Sequence, residues 1–98
     1  MALALAEARA AAARGEVPVG AVVVHAAGAV LAKAGNRTEA DNDPSAHAEI
    51  LALRAATAIK GAPRLPDCDL YVTVEPCAMC AAAISFARIR RLYFGAGD

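Results

Sequence analysis

Two cysteines, Cys77 and Cys80, lie three positions apart directly behind Pro76. Proline suits the first position of a helix, because its fixed φ angle fits there and its missing N–H is not needed. Residues three apart share one face of a helix, so both thiols should point the same way from a first helical turn. The unpaired N–H groups of that turn favour thiolates. Two thiolates side by side supply half of the ligands of a tetrahedral zinc site.

A histidine and a glutamate, His47 and Glu49, stand two positions apart upstream of the cysteines. One imidazole and two thiolates leave the fourth zinc position open for water, as in catalytic sites, and Glu49 would be the base that acts on the water. His-x-Glu followed by Pro-Cys-x-x-Cys is typical of zinc nucleobase deaminases. Residues two apart face about 200° away from each other on an ideal helix. The pair can therefore share a site only at the very start of a helix.

Composition limits the class of protein. The 98 residues suffice for one small domain, spanning 1–98, and a net charge of +0 gives no basic field typical of general nucleic-acid binders. Three cysteines, two of them closely spaced, indicate reduced thiols and a metal, and hence the cytoplasm. A disulfide between Cys77 and Cys80 is the alternative, although no Trp-Cys context of redox motifs precedes them. Cys68 has no partner at metal spacing and is expected to be a small buried residue at a strand start.

The N-terminal third of the chain predicts a helix and a hairpin. Residues 1–14 are strong helix formers that end at Gly15, and their charged residues argue against a signal peptide or membrane span. The leucines at 3 and 5 are expected to pack this helix. Residues 19–25 and 29–36 are largely apolar and are joined by a short turn, which predicts an antiparallel hairpin.

The rest of the chain predicts two further helices and two further strands. A helix over 46–60 should be capped by Ser45 or Asp43. A strand over 69–74 leads through Pro76 into a helix over about 77–88, and a last strand lies within 90–95. Strands that alternate with helices imply a parallel pair, so the predicted α/β fold has a mixed sheet. Both helix starts should lie beyond strand ends, where ligands gather in open α/β sheets.

Several sequence pieces together carry a family likeness. The chain resembles the cytidine-deaminase-like superfamily and, more narrowly, the bacterial tRNA-specific adenosine deaminases. The likeness implies a three-layer fold with an N-terminal antiparallel hairpin and helices on both faces of the mixed sheet. The matching pieces are Glu-Val-Pro-Val-Gly-Ala-Val at 16–22, Gly-Asn-Arg at 35–37, Asp-Pro-Ser-Ala-His-Ala-Glu-Ile at 43–50, Leu-Tyr-Val-Thr-Val-Glu-Pro-Cys-Ala-Met-Cys at 70–80, and residues 85–95.

The resemblance assigns roles to the matched residues. His47, Cys77 and Cys80 would hold one Zn²⁺ per chain. Glu49 would move a proton from the attacking water to the ring and then to the leaving ammonia. On the substrate side, the resemblance implies that the Asn36 side chain hydrogen-bonds the base, that the Ala48 N–H orients the water or the base, and that Val17 and Asp98 lie near the flipped nucleotide.

The implied function is zinc-dependent hydrolytic deamination of adenosine to inosine in nucleic acid, at the tRNA anticodon wobble position. The partners implied are a second copy of the chain, in a homodimer, and tRNA or another single-stranded nucleic acid, without a membrane. Family members continue past Asp98 with a further strand and closing helices, so the C-terminal strand and helices are expected to be missing here. Those segments carry part of the RNA contact surface in the family.

Two alternatives remain open beside this function. The chain could be a free-base or nucleoside deaminase acting on guanine or cytosine compounds, or a non-catalytic binding module stabilised by zinc. Glu49 favours an enzyme, because a structural zinc domain needs no acid beside an open ligand position. The arginines at 88, 90 and 91 either face solvent and contact helix-end carbonyls or contact phosphates.

Overall fold

Three alanine-rich or amphipathic segments form helices, and four apolar segments form strands, in the computed structural model. The structure describes residues 1–95, and all seven elements predicted from the sequence are present in the predicted order. Within that part of the chain, no helix is long and apolar enough to cross a membrane. The elements are α1 (Ala2–Ala13), β1 (Gly20–His25), β2 (Val30–Gly35), α2 (Ala48–Lys60), β3 (Cys68–Val72), α3 (Ala78–Phe86) and β4 (Arg91–Phe94).

The four strands form one mixed sheet in the order β2-β1-β3-β4. The strand β1 pairs antiparallel with both β2 and β3, whereas β3 and β4 are parallel and are joined through α3. The predicted N-terminal hairpin and mixed sheet are thus confirmed. Because side chains alternate along a strand, β1 directs Ala21 and Val23 to one face of the sheet and Gly20 and Val22 to the other.

Helices cover both faces of this sheet. The helices α2 and α3 pack on the face that carries Val23, and they bury the apolar core between themselves and the strands. The helix α1 lies on the opposite face, against β1 and β2. Cys68 is fully buried at the start of β3, as predicted. The fully buried core residues on the α2 and α3 face are Ala21, Val23, Ala48, Ala52, Ala56, Leu65, Cys68, Leu70 and Val72.

The helix α1 approaches the sheet so closely that only small side chains fit between them. A methyl group added at Gly20 would overlap the carbonyl of Ala4, and the helix buries only alanines, at positions 4, 8 and 11. Leu3 and Leu5, which were expected to pack this helix, are 44% and 42% exposed. That expectation is wrong, because a leucine on the inner face would push the helix away from Gly20.

The start of β1 joins the ends of its two neighbours. Since β2 and β3 both run antiparallel to β1, they end at the edge where β1 begins. The Asn36 N–H donates to the Val19 carbonyl at 3.1 Å, and the Thr73 N–H donates to the Gly20 carbonyl at 3.1 Å. The Gly20 N–H donates in turn to Thr73 Oγ1 at 3.2 Å. The chain leaves this edge twice, once towards α2 and once towards α3.

An ion pair joins Asp69 in β3 to Arg90, which directly precedes β4. Arg90 donates from Nε to Asp69 Oδ1 at 2.9 Å and from Nη2 to Asp69 Oδ2 at 2.7 Å. Hydrogen bonding to Arg90 holds the pKa of the Asp69 carboxyl below its ordinary value, although burial acts in the opposite direction. Arg88 donates instead to the Ser85 carbonyl at the end of α3, one of the two arrangements that the sequence left open.

The Asp69–Arg90 pair predicts a stability that falls in acid. A carboxyl whose pKa is lower in the folded chain adds stability above its unfolded pKa of about 3.9, and this stability disappears as the pH falls through the lower folded value. Asp69→Asn should therefore lower the urea midpoint at pH 7 and have little effect near pH 2. Urea unfolding at several pH values checks this, with Asp41→Asn in the exposed Arg37–Asp41 pair as a control. Equal losses from Asp69→Asn at both pH values would contradict the assignment.

Candidate metal centre and active site

His47 lies just outside the helix that follows it. It is the N-cap of α2, with an extended backbone (φ −73°, ψ 151°), and the helix begins at Ala48 rather than at the predicted residue 46. This placement satisfies the constraint on His47 and Glu49, because the histidine does not follow the helical repeat. The prediction that Ser45 or Asp43 caps α2 is wrong. Asp43 Oδ1 accepts from the Ser45 N–H at 2.9 Å and from its hydroxyl at 2.7 Å, so the two form a local turn instead.

Cys77 occupies the same position at the start of α3. It is the N-cap, also extended (φ −69°, ψ 173°), and Ala78 is the first helical residue. Pro76 therefore precedes the cap and does not occupy the first helical position, which corrects the sequence prediction. Cys80 is the third residue of α3. One thiol thus comes from the cap and the other from the first turn, and they still converge on His47.

The donor atoms of three residues form a compact cluster. His47 Nδ1 lies 3.6 Å from Cys77 Sγ and 3.5 Å from Cys80 Sγ, and all three donor atoms lie within 4.8 Å of one another. For a tetrahedral zinc ion with the usual bond lengths, the nitrogen-to-sulfur separation is about 3.6 Å. The donor set and its spacing therefore fit zinc, and Nδ1 is the imidazole nitrogen that faces the thiols.

The surroundings of Cys80 favour the neutral thiol unless a cation is present. Burial raises the pKa of the Cys80 thiol, and the negative charge of Glu49 and the neighbouring Cys77 act in the same direction. The free N–H groups at the start of α3 act in the opposite direction, towards the thiolate. A divalent cation between the donors would supply the missing positive charge, since metal binding and thiol deprotonation are coupled.

Glu49 places a buried carboxylate beside this cluster. It is the second residue of α2 and is 3% exposed, an unusual position for a glutamate. The positive end of the helix dipole favours a negative charge there. Glu49 lines the same cavity as His47 and Cys77, so its carboxylate can reach a molecule bound at the cluster.

The cavity in front of the cluster has a volume of about 290 Å³. Two of the predicted substrate residues, Asn36 and Val17, line it. Ala48 is buried between His47 and Glu49 and does not line it, although its N–H is one of those that lack an acceptor within the helix. Asp98 lies outside the described residues. The cavity is lined by Val17, Val19, Asn36, Thr38, His47, Glu49, Val74, Glu75 and Cys77.

Around Asn36 the structure adds two polar partners that sequence reasoning missed. The Asn36 side chain donates from Nδ2 to Thr38 Oγ1 at 3.1 Å and to Glu16 Oε1 at 3.5 Å. Glu16 is the first residue of the Glu-Val-Pro-Val-Gly-Ala piece, and Thr38 follows Gly-Asn-Arg directly. The available signal was that Glu16 lies within a matched piece and that Thr38 lies next to one. Their spacing along the chain gave no reason to pair either residue with Asn36.

Comparisons with known proteins identify the family of the chain and agree with its fold. Residues 1–96 match the model of the cytidine and deoxycytidylate deaminase zinc-binding region, and the chain belongs to this family. The tRNA-specific adenosine deaminase of Agrobacterium fabrum is 63% identical over 98 residues, which are 100% of this chain and 64% of that protein. The chain thus spans less than two thirds of the length of this curated relative.

Two solved structures are similar to this chain. One comes from a study of A-to-I editing by tRNA:A34 deaminases at the wobble position of transfer RNA, with 63% identity and a TM-score of 0.97, and the match covers 100% of this chain and 75% of that chain. The other is guanine deaminase from Bacillus subtilis, with 41% identity and a TM-score of 0.92, covering 96% of this chain and 60% of that chain. The predicted cytidine-deaminase-like fold is confirmed.

The cluster predicts about one zinc ion per chain in protein purified with reduced thiols. His47→Ala removes one of three ligands and should lower the bound zinc well below one equivalent, because two thiolates do not complete a site. Elemental analysis after gel filtration measures both values. Cys68→Ala is the matched control, since Cys68 is a buried cysteine outside the cluster, and it should keep its zinc. Absence of zinc from the parent protein after expression in zinc-replete medium would contradict the assignment.

Proposed function

We propose that residues 1–98 form a single zinc-dependent deaminase domain that converts adenosine to inosine in nucleic acid, at the wobble position of a tRNA anticodon. The observation that carries the proposal is the buried Glu49 carboxylate beside three converging metal donors at the wall of an open cavity. The similarity to tRNA-specific adenosine deaminases supports the choice of base and polymer. The closely spaced reduced cysteines support a cytoplasmic location.

The proposed chemistry is hydrolysis of the bond between a ring carbon and its exocyclic amino group. His47, Cys77 and Cys80 would hold zinc, which when bound supplies Lewis-acid activation of a water molecule. Glu49 accepts one proton from the water as its oxygen bonds to the ring carbon, and delivers this proton to the ring nitrogen. It then accepts the proton of the new hydroxyl group and delivers it to the departing amino group. The carbon–nitrogen bond then breaks and ammonia leaves. Each step needs a base or an acid at the same place, which one buried carboxylate provides.

On the substrate side, we propose that Asn36 hydrogen-bonds the base and that Val17 packs against the flipped nucleotide. Both residues line the cavity in which His47 and Glu49 also lie, so a base in contact with them stands next to the donor cluster. A base inside a duplex could not reach this position, which favours an unpaired loop nucleotide. We propose supporting roles for the Ala48 N–H, which would orient the water or the base, and for Asp98 near the nucleotide.

A second candidate is deamination of free guanine, which the similarity to the B. subtilis guanine deaminase favours. The deciding experiment incubates the zinc-loaded protein with an anticodon stem-loop, single-stranded DNA, free guanine and cytidine, and detects the deaminated product of each. Inosine in the stem-loop supports the proposed function. Turnover of guanine or cytidine alone would replace it with the second candidate or another free-substrate deaminase. A protein that binds zinc and converts none of the four would point to a non-catalytic module.

Glu49 should be the residue whose loss removes turnover and leaves the metal in place. Glu49→Gln keeps the shape of the side chain and all three metal donors, but it cannot accept the proton from water. General acid–base steps contribute about 10²–10⁴-fold, so kcat should fall by at least about 10²-fold. Kinetics together with zinc analysis checks this, and His47→Ala, which should lose both zinc and activity, separates the two roles. Deamination by Glu49→Gln at a nearly normal rate would refute the mechanism.

We further propose that two copies of the chain form a homodimer through the surface of α3 and β4. This surface exposes large apolar side chains, with Phe86 76% exposed and Phe94 46% exposed. Burial of these side chains against a second copy would remove apolar area from water and so stabilise the dimer. Met79, at the start of α3, and Leu92, which lies on the same face of β4 as Phe94, are also partly exposed.

If the homodimer forms, the protein should sediment at micromolar concentration as a species with the mass of two chains. Phe86→Glu should shift the protein towards monomer, because it places a charge in the apolar contact, and it should leave the zinc content unchanged. Ile59→Glu is the control, since Ile59 is also exposed (63%) but lies at the end of α2. A parent protein that sediments as a monomer would contradict the dimer, as would a dimer equally weakened by both variants.

A further inference from the structure

Glu16 is a buried carboxylate for which the proposed chemistry has no use. It is 6% exposed and lies in the loop between α1 and β1. The Glu39 N–H donates to Oε1 at 3.1 Å and the Ala40 N–H donates to Oε2 at 2.8 Å. Asn36 Nδ2 lies 3.5 Å from Oε1. Burial alone would raise the pKa of the Glu16 carboxyl, but these donors and the charge of Arg14 hold it below its ordinary value, so the group is ionised at neutral pH.

This carboxylate fixes which end of the Asn36 amide faces the cavity. An ionised carboxylate only accepts hydrogen bonds, and an amide has one accepting end and one donating end. The donating end, Nδ2, carries two hydrogens and lies beside Glu16 Oε1 and Thr38 Oγ1. Turning the amide over would set two oxygens against each other at a buried position. Among residues 1–95 no group donates to Asn36 Oδ1. Because the described residues contain no fully buried side-chain oxygen or nitrogen without a partner, Oδ1 must keep some contact with solvent.

We infer that Glu16 is a positioning residue that locks the Asn36 amide so that its oxygen, and not its nitrogen, faces the bound nucleotide. The cavity wall then presents a hydrogen-bond acceptor and selects nucleotides that offer an N–H or O–H donor at that point. The inference rests on the proposed function for the identity of the ligand, but the direction of the amide is a property of the protein alone. Glu16 acts through Asn36 and does not line the cavity.

A purely structural role for Glu16 makes a different prediction. Because it accepts two backbone N–H groups at Glu39 and Ala40, Glu16 also holds the loop between β2 and α2. If this were its only role, Glu16→Gln would weaken substrate binding equally whether residue 36 is asparagine or aspartate. A double variant with an amide at residue 16 and a carboxylate at residue 36 therefore distinguishes the two roles.

The first test needs no variant. The chain contains two asparagines, Asn36 and Asn42, and no glutamine, so its NMR spectrum holds only two side-chain amide pairs. Asn42 is exposed and serves as the internal reference. If both Nδ2 hydrogens of Asn36 are hydrogen-bonded, they should exchange with solvent at least about tenfold more slowly than those of Asn42. Equal exchange of the two pairs in the parent protein would overturn the inference.

The second test compares Glu16→Gln with the double variant Glu16→Gln, Asn36→Asp. The amide introduced by Glu16→Gln can donate as well as accept and so lets the Asn36 amide turn over. KM should therefore rise about tenfold while kcat changes by less than about twofold. In the double variant the glutamine nitrogen donates to the aspartate, which again turns an oxygen to the cavity, so KM should return towards the parent value. Asp41→Asn in the same loop is the control and should leave KM within about twofold of the parent value.

The outcomes distinguish this inference from the proposed function. A double variant with a KM no better than that of Glu16→Gln would leave Glu16 as a loop contact only and would overturn the inference. A parent protein that deaminates none of the substrates would refute the proposed function instead. In that case the exchange rates of the Asn36 amide, measured on the zinc-loaded parent and on Glu16→Gln, still decide whether Glu16 fixes its direction. Loss of protection in Glu16→Gln supports the inference, and unchanged protection overturns it.

Discussion

The backbone hydrogen bonds at the start of β1 bring the two halves of the site together. Val19 accepts from Asn36 at the end of β2, and Gly20 exchanges two hydrogen bonds with Thr73 beyond β3. Both outer strands run antiparallel to β1, so their ends meet at one edge, and the two segments that leave this edge deliver His47 and Cys77. Donors that are 30 positions apart in sequence become neighbours through this pairing.

Three negative or potentially negative groups are buried near this edge, and the protein stabilises them by different means. Glu16 is held by backbone N–H groups of a loop, whereas Glu49 and Cys80 lie in the first turns of two helices. Burial acts against the charged form of Cys80, because it raises the pKa of the thiol, whereas the positive end of α3 favours the thiolate. Where the three metal donors converge, a divalent cation would supply positive charge to the thiolates. Because a thiol must lose its proton to bind a metal, zinc binding at this site should become weaker as the pH falls.

Much of the fold and the site could be predicted from the sequence, because strand alternation, helix formers and the Pro-Cys-x-x-Cys spacing are local signals. The errors concern competition between local contacts and tertiary contacts. Asp43 and Ser45 are good helix caps, yet they bond to each other, and the cap position falls to His47. The link from Glu16 to Asn36 joins residues 20 positions apart, so no periodic pattern could reveal it. Propensity identifies elements, but it does not show which of several competent polar groups form a pair.

The close contact between α1 and the sheet has a consequence for sequence variation among relatives of this protein. Ala4, Ala8, Ala11 and Gly20 fill a space in which no larger residue fits, so these positions should accept almost no substitution. Leu3 and Leu5 on the outer side of the same helix are free to change. Along this helix we therefore expect the smallest side chains, rather than the largest, to vary least among relatives.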